Sequence, residues 1–292
     1  MDGRRGRRSG AALTASRQEV RAAARRRRAR RGTAISALSS LVILGGLVAI
    51  LVTSPGWDEV KTTFFDWGDF KHSFPDVLGG FWLDVKLFVI IELCVLAVGL
   101  LVALVRTTRS PALFPLRLVA GMFTDFSRGI PTVLFVYLVG FGVPALALHG
   151  LPTDPLVLGG AALTISYSGY VAEVYRSGID SVHQSQMAGA LALGLTRGQA
   201  LRHVVLPQAI RRVIPPLLND FIALQKDVTL VSFLGPMEAF RVAQIDAASN
   251  FIYTPLVAAA VLYLCVTIPM ARIVDHLQGR AREVRGVVEV TG

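Results

Sequence analysis

Little in these 292 residues can build a disulfide framework, a metal centre or a phosphate cradle. The cysteines are Cys94 and Cys265 alone, both inside apolar runs, which excludes a cystine-stapled secreted scaffold. His72, His149, His183, His203 and His276 are scattered and share no ligand-like spacing with one another. No Gly-x-x-x-x-Gly-Lys-Ser/Thr segment occurs, so the chain has no loop of that kind for gripping nucleotide phosphates. Charge is sparse too, at 17% of residues, against about 25% in ordinary soluble domains.

What fills the sequence is apolar, 53% of it, gathered into long runs. That pattern predicts an all-α polytopic membrane protein. The formal charge of +10 is local: residues 1–31 hold twelve arginines against Asp2 and Glu19, and the rest of the chain balances to zero. This stretch, densest at Arg25 to Arg28, reads as a cytoplasmic charge beside anionic lipid rather than a nucleic-acid arm, because an apolar run follows at once.

The expected order is a basic cytoplasmic tail at 1–33, an N-terminal transmembrane helix at 34–54 and an extracellular segment at 55–80, where Trp57 and Trp67 suit the membrane interface. The run at 34–54 exceeds the roughly 7–15 apolar residues of a signal peptide and reads as a signal anchor. A transmembrane domain at 81–278 follows, with spans at 81–105, 156–174, 215–234 and 254–272 and a cytoplasmic tail at 279–292. Residues 114–148 are too long for one simple span. A short interfacial helix before 130–148 fits, and so does one tilted helix kinked at Pro131. Arg106, Arg109, Arg176, Arg280, Arg282 and Arg285 then mark the inner side, giving six spans in a cell membrane with both termini cytoplasmic.

Between the fourth and fifth spans, residues 181–212 are too polar for hydrocarbon and must be a cytoplasmic excursion. Ser181 with Gln184, and Thr196 with Gln199, have capping-box spacing, which predicts two short helices hinged at Gly194. Met187, Ala190, Leu191 and Gly194 recur at spacings of three and four, an apolar face suited to a protein partner. Pro207 is expected to stop the second helix, and Pro215 and Pro216 to begin the next.

Ionisable groups inside apolar runs are costly, so they are the places to look for function. Lys226 and Asp227 lie about 16 Å along the fifth span from Pro215, near mid-bilayer. Asn219, Ile222 and Lys226 share one stripe, either a structural polar cluster or the lining of a path. Glu173 and Arg176 have the spacing of a local ion pair. Arg128, beside Gly129 and Pro131, is a positive-inside anchor or a subunit contact. Lys86 can snorkel outward, while Glu92 has no evident role. A secondary transporter or channel using Lys226, Asp227 and Glu92 is the competing reading, but no inverted repeat is visible and such a protein has no need of a capped cytoplasmic helix pair.

The excursion resembles the cytoplasmic loop of ABC-importer permeases, Glu-Ala-Ala-x-x-x-Gly followed by Ile-x-Leu-Pro. Ala188, Gly189 and Ala190 stand at the first triplet, Gly194 at the glycine, and Val204, Val205, Leu206 and Pro207 at the close. Ala188 replaces the usual glutamate. Arg-Gly-x-Pro at Arg128 to Pro131, Tyr-x-x-Glu-x-x-Arg-x-Gly-Ile at Tyr170 to Ile179, and Pro-x-x-Asn with Ile-x-Leu-x-Lys-Asp-x-x-Leu at Pro216 to Leu230 are similar to the polar amino-acid branch, of binding-protein-dependent type I. Val228 and Thr229 depart from the Thr-Ser or Ser-Ser usual there. The resemblance implies five core helices plus one extra N-terminal helix, and a second permease subunit in a homo- or heterodimer. It implies an extracellular or periplasmic amino-acid-binding protein, and ATPase subunits that bind ATP-Mg, with no cofactor in this chain. It also implies that Gln186, Met187, Ala188, Gly189, Ala190, Leu191, Gly194, Leu206 and Pro207 contact the ATPase. Arg128, Glu173, Arg176, Asn219, Lys226, Asp227 and Thr229 are the candidates for the pore or bundle interior.

Overall fold

The computed structural model describes residue 32, residues 35–108 and residues 110–290, with side chains as far as 278. The arginine-rich stretch 1–31, Arg109, and the side chains of Arg280, Arg282 and Arg285 lie outside the described residues. Among the described residues every regular element is helical. By internal contacts the chain divides at residues 62 and 63. In the first unit, α1 (Ile35–Val52) is apolar on all sides and long enough to span. It is followed by the start of α2 (Trp57–Phe64).

In the second unit the organising element is α3 (Trp67–Thr107). At 1.5 Å per residue, its 41 residues reach about 60 Å, twice the roughly 30 Å of hydrocarbon. The segment read as extracellular, 55–80, is largely helix. The reason is local: Asp66 caps α3 by accepting from the Asp69 amide at 2.9 Å, and the amide of Asp66 donates to Thr254 Oγ1 at 3.3 Å. On one face of α3, Leu87, Ile91, Val95, Gly99 and Ala103 recur every four residues and are all buried.

This seam packs on α7 (Pro155–Asp180), which starts at Pro155 with Asp154 accepting from the amides of Leu156 and Val157. Gly99 sets the approach, since a Cβ there would stand 2.6 Å from Val171 Cγ1. In lipid, close packing of small residues replaces the hydrophobic drive between helices. Phe135 and Val136 of α5 (Thr132–Gly140) and Leu224 of α10 (Leu206–Asp227) complete the larger core with Leu163, Tyr167 and Val171.

Region 114–148 takes neither simple form. The helix α4 (Phe114–Gly129) buries Ala120, Thr124 and Ser127 and exposes Leu118, Met122 and Phe126. It then turns by 105° into α5 and the short α6 (Gly142–Ala145). Pro131 causes the break, because it pushes Ile130 into extended backbone (φ −103°, ψ 132°). Thr124 and Ser127 can be buried because each hydroxyl donates to a carbonyl one turn back in α4.

The second correction concerns the fifth span. Its helix begins at Leu206, so Pro207 sits in its first turn and Pro215 and Pro216 lie inside it, followed by a 3-10 stretch from Val228 to Leu234. Backbone from Arg197 to Asp227 is continuous through α9 (Arg197–Ala200), a π turn (Leu201–Val205) and α10. A proline clashes with the carbonyl four residues back. The wider π turn, closed by the Leu206 amide onto the Leu201 carbonyl, makes room just ahead of Pro207. Two helices remain, α11 (Ala239–Asn250) and α12 (Thr254–Val290). Among the described residues, four helices are long and apolar enough to cross a membrane, or five if the bent α4–α5–α6 unit counts as one. Arg211, Arg212, Asp220, Lys226 and Asp227 keep α10 out of that number.

Candidate functional site: the cytoplasmic loop and the polar face of the bundle

The loop leaves α7 at Ser181, which is not the expected cap of the next helix. Its hydroxyl donates to Gly178, and its carbonyl and hydroxyl both accept from Arg212 on α10. The cap of α8 (Gln184–Ala192) is instead His183, whose Nδ1 accepts from the Ser185 amide at 3.2 Å. A histidine can cap with a bare ring nitrogen, but a search for Ser/Thr-x-x-Gln cannot find it.

The other local readings are seen as drawn. Gly194 has φ +84°. The Leu195 amide bonds the Ala190 carbonyl and the Gly194 amide bonds Leu191, which together form a Schellman end. Thr196 and Gln199 form a reciprocal capping box, with the Thr196 amide on Gln199 Oε1 at 2.9 Å. Gln208 Nε2 reaches Gln186 Oε1 at 3.3 Å, a further tie between α8 and α10.

Of the residues assigned to a partner contact, Gln186, Ala188, Gly189, Leu191, Gly194, Leu206 and Pro207 are exposed and Met187 is half-buried. Ala190 is turned into the chain itself, so the apolar face is split. Leu193, 84% exposed, joins Leu191 on the outside, a residue the periodicity argument passed over. A cavity of about 590 Å³ opens along α8, lined by His183, Met187, Ala188, Leu191, Arg197 and Val205. Residues 181–219 contain no Asp or Glu, so the excursion carries positive charge only, from Arg197, Arg202, Arg211 and Arg212.

The polar residues of the bundle fall into separate groups. Glu173 bonds Arg106 of α3 at 2.9 Å and pairs with Arg176, which also holds Asp180 at 2.8 Å. The expected local pair is thus part of a chain that joins α3 to α7. Arg128 lies 5.7 Å over the ring of Tyr170, whose hydroxyl donates to the Arg128 carbonyl at 3.3 Å. Lys86 stands 5.8 Å over Trp82, as a snorkelling lysine would, and Glu92 is half-buried.

On α10, Asn219 and Lys226 are exposed, so their stripe lies on the outside of this chain's own bundle. Asp227 instead faces α7 and accepts from Tyr167 Oη at 2.8 Å. Thr229 donates to the Lys226 carbonyl at 2.8 Å. Sequence reasoning missed Asp220, whose Oδ2 is buried without a hydrogen-bond partner, and Gln225, which accepts from Thr267 of α12 at 2.9 Å. The signal for Asp220 was present: a carboxylate one residue after Asn219, in the same charged span.

Residues 96–283 match the family described as the binding-protein-dependent transport system inner membrane component. The chain belongs to that family. It is therefore a transport component of the membrane, matching the loop and motifs quoted above. Relatives include the probable amino-acid permease protein YxeN of Bacillus subtilis, 32% identical over 206 residues, which span 70% of this chain and 90% of that protein. The glutamine transport system permease protein GlnP of Escherichia coli is 32% identical over 219 residues, 75% of this chain and 98% of that protein. A crystal structure of an amino acid ABC transporter with histidines superposes with a TM-score of 0.66 at 28% identity, over 74% of this chain and 98% of that one. The methionine ABC transporter MetNI, inward-facing, shares the fold at a TM-score of 0.51 and 18% identity, over 69% and 95%. The fold is thus that of the type I importer transmembrane domain.

Proposed function

We propose that this permease subunit forms half of the translocation path of an ATP-driven amino-acid importer and transmits the work of a separate ATPase through α8. The observation that carries the reading is the loop itself. A helix of nine residues is too short to stand alone in water. This one is capped at both ends, tied to α10 by Arg212 and Gln208, and presents Leu191 and Leu193 to the cytoplasm. An exposed leucine pair on a rigidly held helix suits a groove in a partner.

The names of YxeN and GlnP support an amino acid as cargo, and the family's description supports delivery by a binding protein. In this reading ATP-Mg is held and hydrolysed by the ATPase subunits, and the chain itself is not an enzyme. Both termini are cytoplasmic, α10 is the fifth of six spans, and a second permease subunit covers the face carrying Asn219 and Lys226. Asp227, Thr229 and the unpartnered Asp220 line the path. Arg128, Glu173 and Arg176 hold the inner end of the bundle. Closure of the ATPase on ATP moves α8, and the attached spans rock between inward- and outward-facing states.

The test is co-expression with an ATPase subunit of the same importer and co-purification in mild detergent, comparing wild type with Gly194→Asp. The ATPase is expected to accompany wild type and to be lost with the variant. Wild type that purifies alone and moves solute in vesicles lacking ATP would overturn the reading in favour of a secondary transporter.

A further inference from the structure

At the end of the bundle remote from the loop, three helices converge on two carboxyl groups that the transport reading does not use. Gly80 and Asp84 lie one turn apart on α3. A Cβ on Gly80 would stand 2.7 Å from the Glu238 carbonyl carbon and the Ala239 nitrogen, so α3 touches the backbone at the start of α11 directly. That contact leaves no room for water or for a long side chain. One turn on, Asp84 Oδ2 accepts from Tyr263 Oη of α12 at 2.6 Å and from the Ala239 amide at 3.3 Å. Glu238 caps α11, with Oε2 accepting from Phe240 and Oε1 from Arg241 at 2.8 and 2.7 Å.

Asp84 is 3% exposed and Glu238 0%, and the two side chains lie within hydrogen-bond reach of each other. Asp84 Oδ1 is buried and receives no N–H or hydroxyl donor. Such an orphan oxygen is costly to leave unpaired in a buried site. No cation relieves it: the ion pairs among the described residues are Arg106–Glu173, Arg176–Glu173 and Arg176–Asp180. Arg241, the nearest cation along α11, turns its Nη1 to Gln244 at 3.0 Å. The groups that face the pair are therefore Tyr263 from α12, amides of α11, and each carboxyl itself. Two neighbouring carboxyls in a buried site resist being ionised together.

We propose that Asp84 and Glu238 are a buried proton-binding site, holding one proton between them, and that this proton clasps the start of α11 to α3 and α12. Glu238 is the donor and Asp84 Oδ1 the acceptor, which gives the orphan oxygen its partner. The amides of Phe240 and Arg241 favour charge on Glu238, but the Tyr263 hydroxyl favours it on Asp84, and only a proton on Glu238 gives the orphan Asp84 Oδ1 a donor, so Asp84 carries the charge. Burial first, and the charge of Asp84 second, push the Glu238 carboxyl up from the ordinary glutamate value to about 8. A carboxyl raised on folding holds its proton in the folded state and releases it in the unfolded one. Stability linked to it is therefore fully present below the ordinary value and declines as pH rises towards about 8. Deprotonation leaves two like charges at the foot of α11, just after the left-handed turn at Gly235 (φ +111°).

The test is the thermal midpoint of the purified full chain in mild detergent between pH 5 and 9, for wild type and Glu238→Gln. Glutamine keeps one oxygen as a cap acceptor and permanently supplies the N–H that stands in for the protonated acid's O–H. Wild type is expected to weaken as pH rises, its folded-to-unfolded ratio dropping by up to about tenfold per pH unit, while Glu238→Gln is flatter and overtakes wild type above neutrality. Infrared spectra supply the second readout: a protonated-carboxyl band at neutral pH in wild type, absent from Glu238→Gln. Parallel pH profiles for the two proteins, or a wild type without that band, would overturn the proposal.

Discussion

The two ends of this bundle handle polar groups in opposite ways. At the loop after α7 the helix ends are closed by near neighbours: His183 with Ser185, Thr196 with Gln199, and Gly194 and Leu195 with the last turn of α8. At the Asp84–Glu238 cluster the partners come from residues 155 and 179 positions away in sequence. A loop satisfied locally can leave its face uncommitted and offer it to another chain. A carboxyl satisfied only by long-range partners, as Asp84 is, is committed to one arrangement of three helices. The first is a surface to be exchanged and the second is a joint to be kept.

Substitutions that sort these roles can break or sharpen that contrast. The largest effect is expected from Gly80→Leu, since backbone atoms of Glu238 and Ala239 occupy the space and cannot swing aside as a side chain would. Detergent size-exclusion chromatography should show the loss of monodisperse protein. Leu193→Asp should do the reverse. At an 84% exposed site the thermal midpoint should barely move, within about 0.5 kcal/mol, while ATP-dependent uptake into vesicles drops by roughly tenfold or more, because a charge would have to enter an apolar groove. If uptake is untouched, the outward leucines are not the docking face.

Tyr263→Phe removes one donor from a buried carboxylate and should cost about 1–3 kcal/mol, read as an earlier melt, with the ATPase still bound in co-purification. Thr196→Ala, which removes half of a capping box, should cost about 1 kcal/mol and be visible as faster amide hydrogen exchange across 196–205 alone. Were Thr196→Ala to lower the global melt as much as Tyr263→Phe, the loop would be part of the joint and the contrast would be lost.

The loop was largely legible in sequence because its structure is made by neighbours. Glycine at a left-handed end and a Thr-x-x-Gln box mean the same thing in any fold. Ala190 and Leu193 were misjudged because which side of a short helix is covered depends on α9 and the π turn, partners that periodicity does not contain. The proline readings failed for a related reason. Pro207, Pro215 and Pro216 do oppose a regular helix, but a π turn ahead of the first relaxes the objection, and nothing in Leu201 to Val205 announces it. Asp84 illustrates the opposite kind of miss. It sat in plain view as a carboxylate within the expected span at 81–105, yet its meaning required Glu238 and Tyr263, which only the packing of α11 and α12 brings near.

The π turn also makes one rod of what two helices and a linker would have divided. From Arg197 to Asp227 the backbone runs some 45 Å at 1.5 Å per residue, without a loop in which motion could be absorbed. A push delivered beside the Thr196 cap therefore arrives at the far end as displacement of Asp227, where the Tyr167 hydroxyl is waiting at 2.8 Å. The wide turn is a softer section of that rod, set next to the push and far from the charge. Bending there trims the stroke at its source and leaves the delivered end stiff.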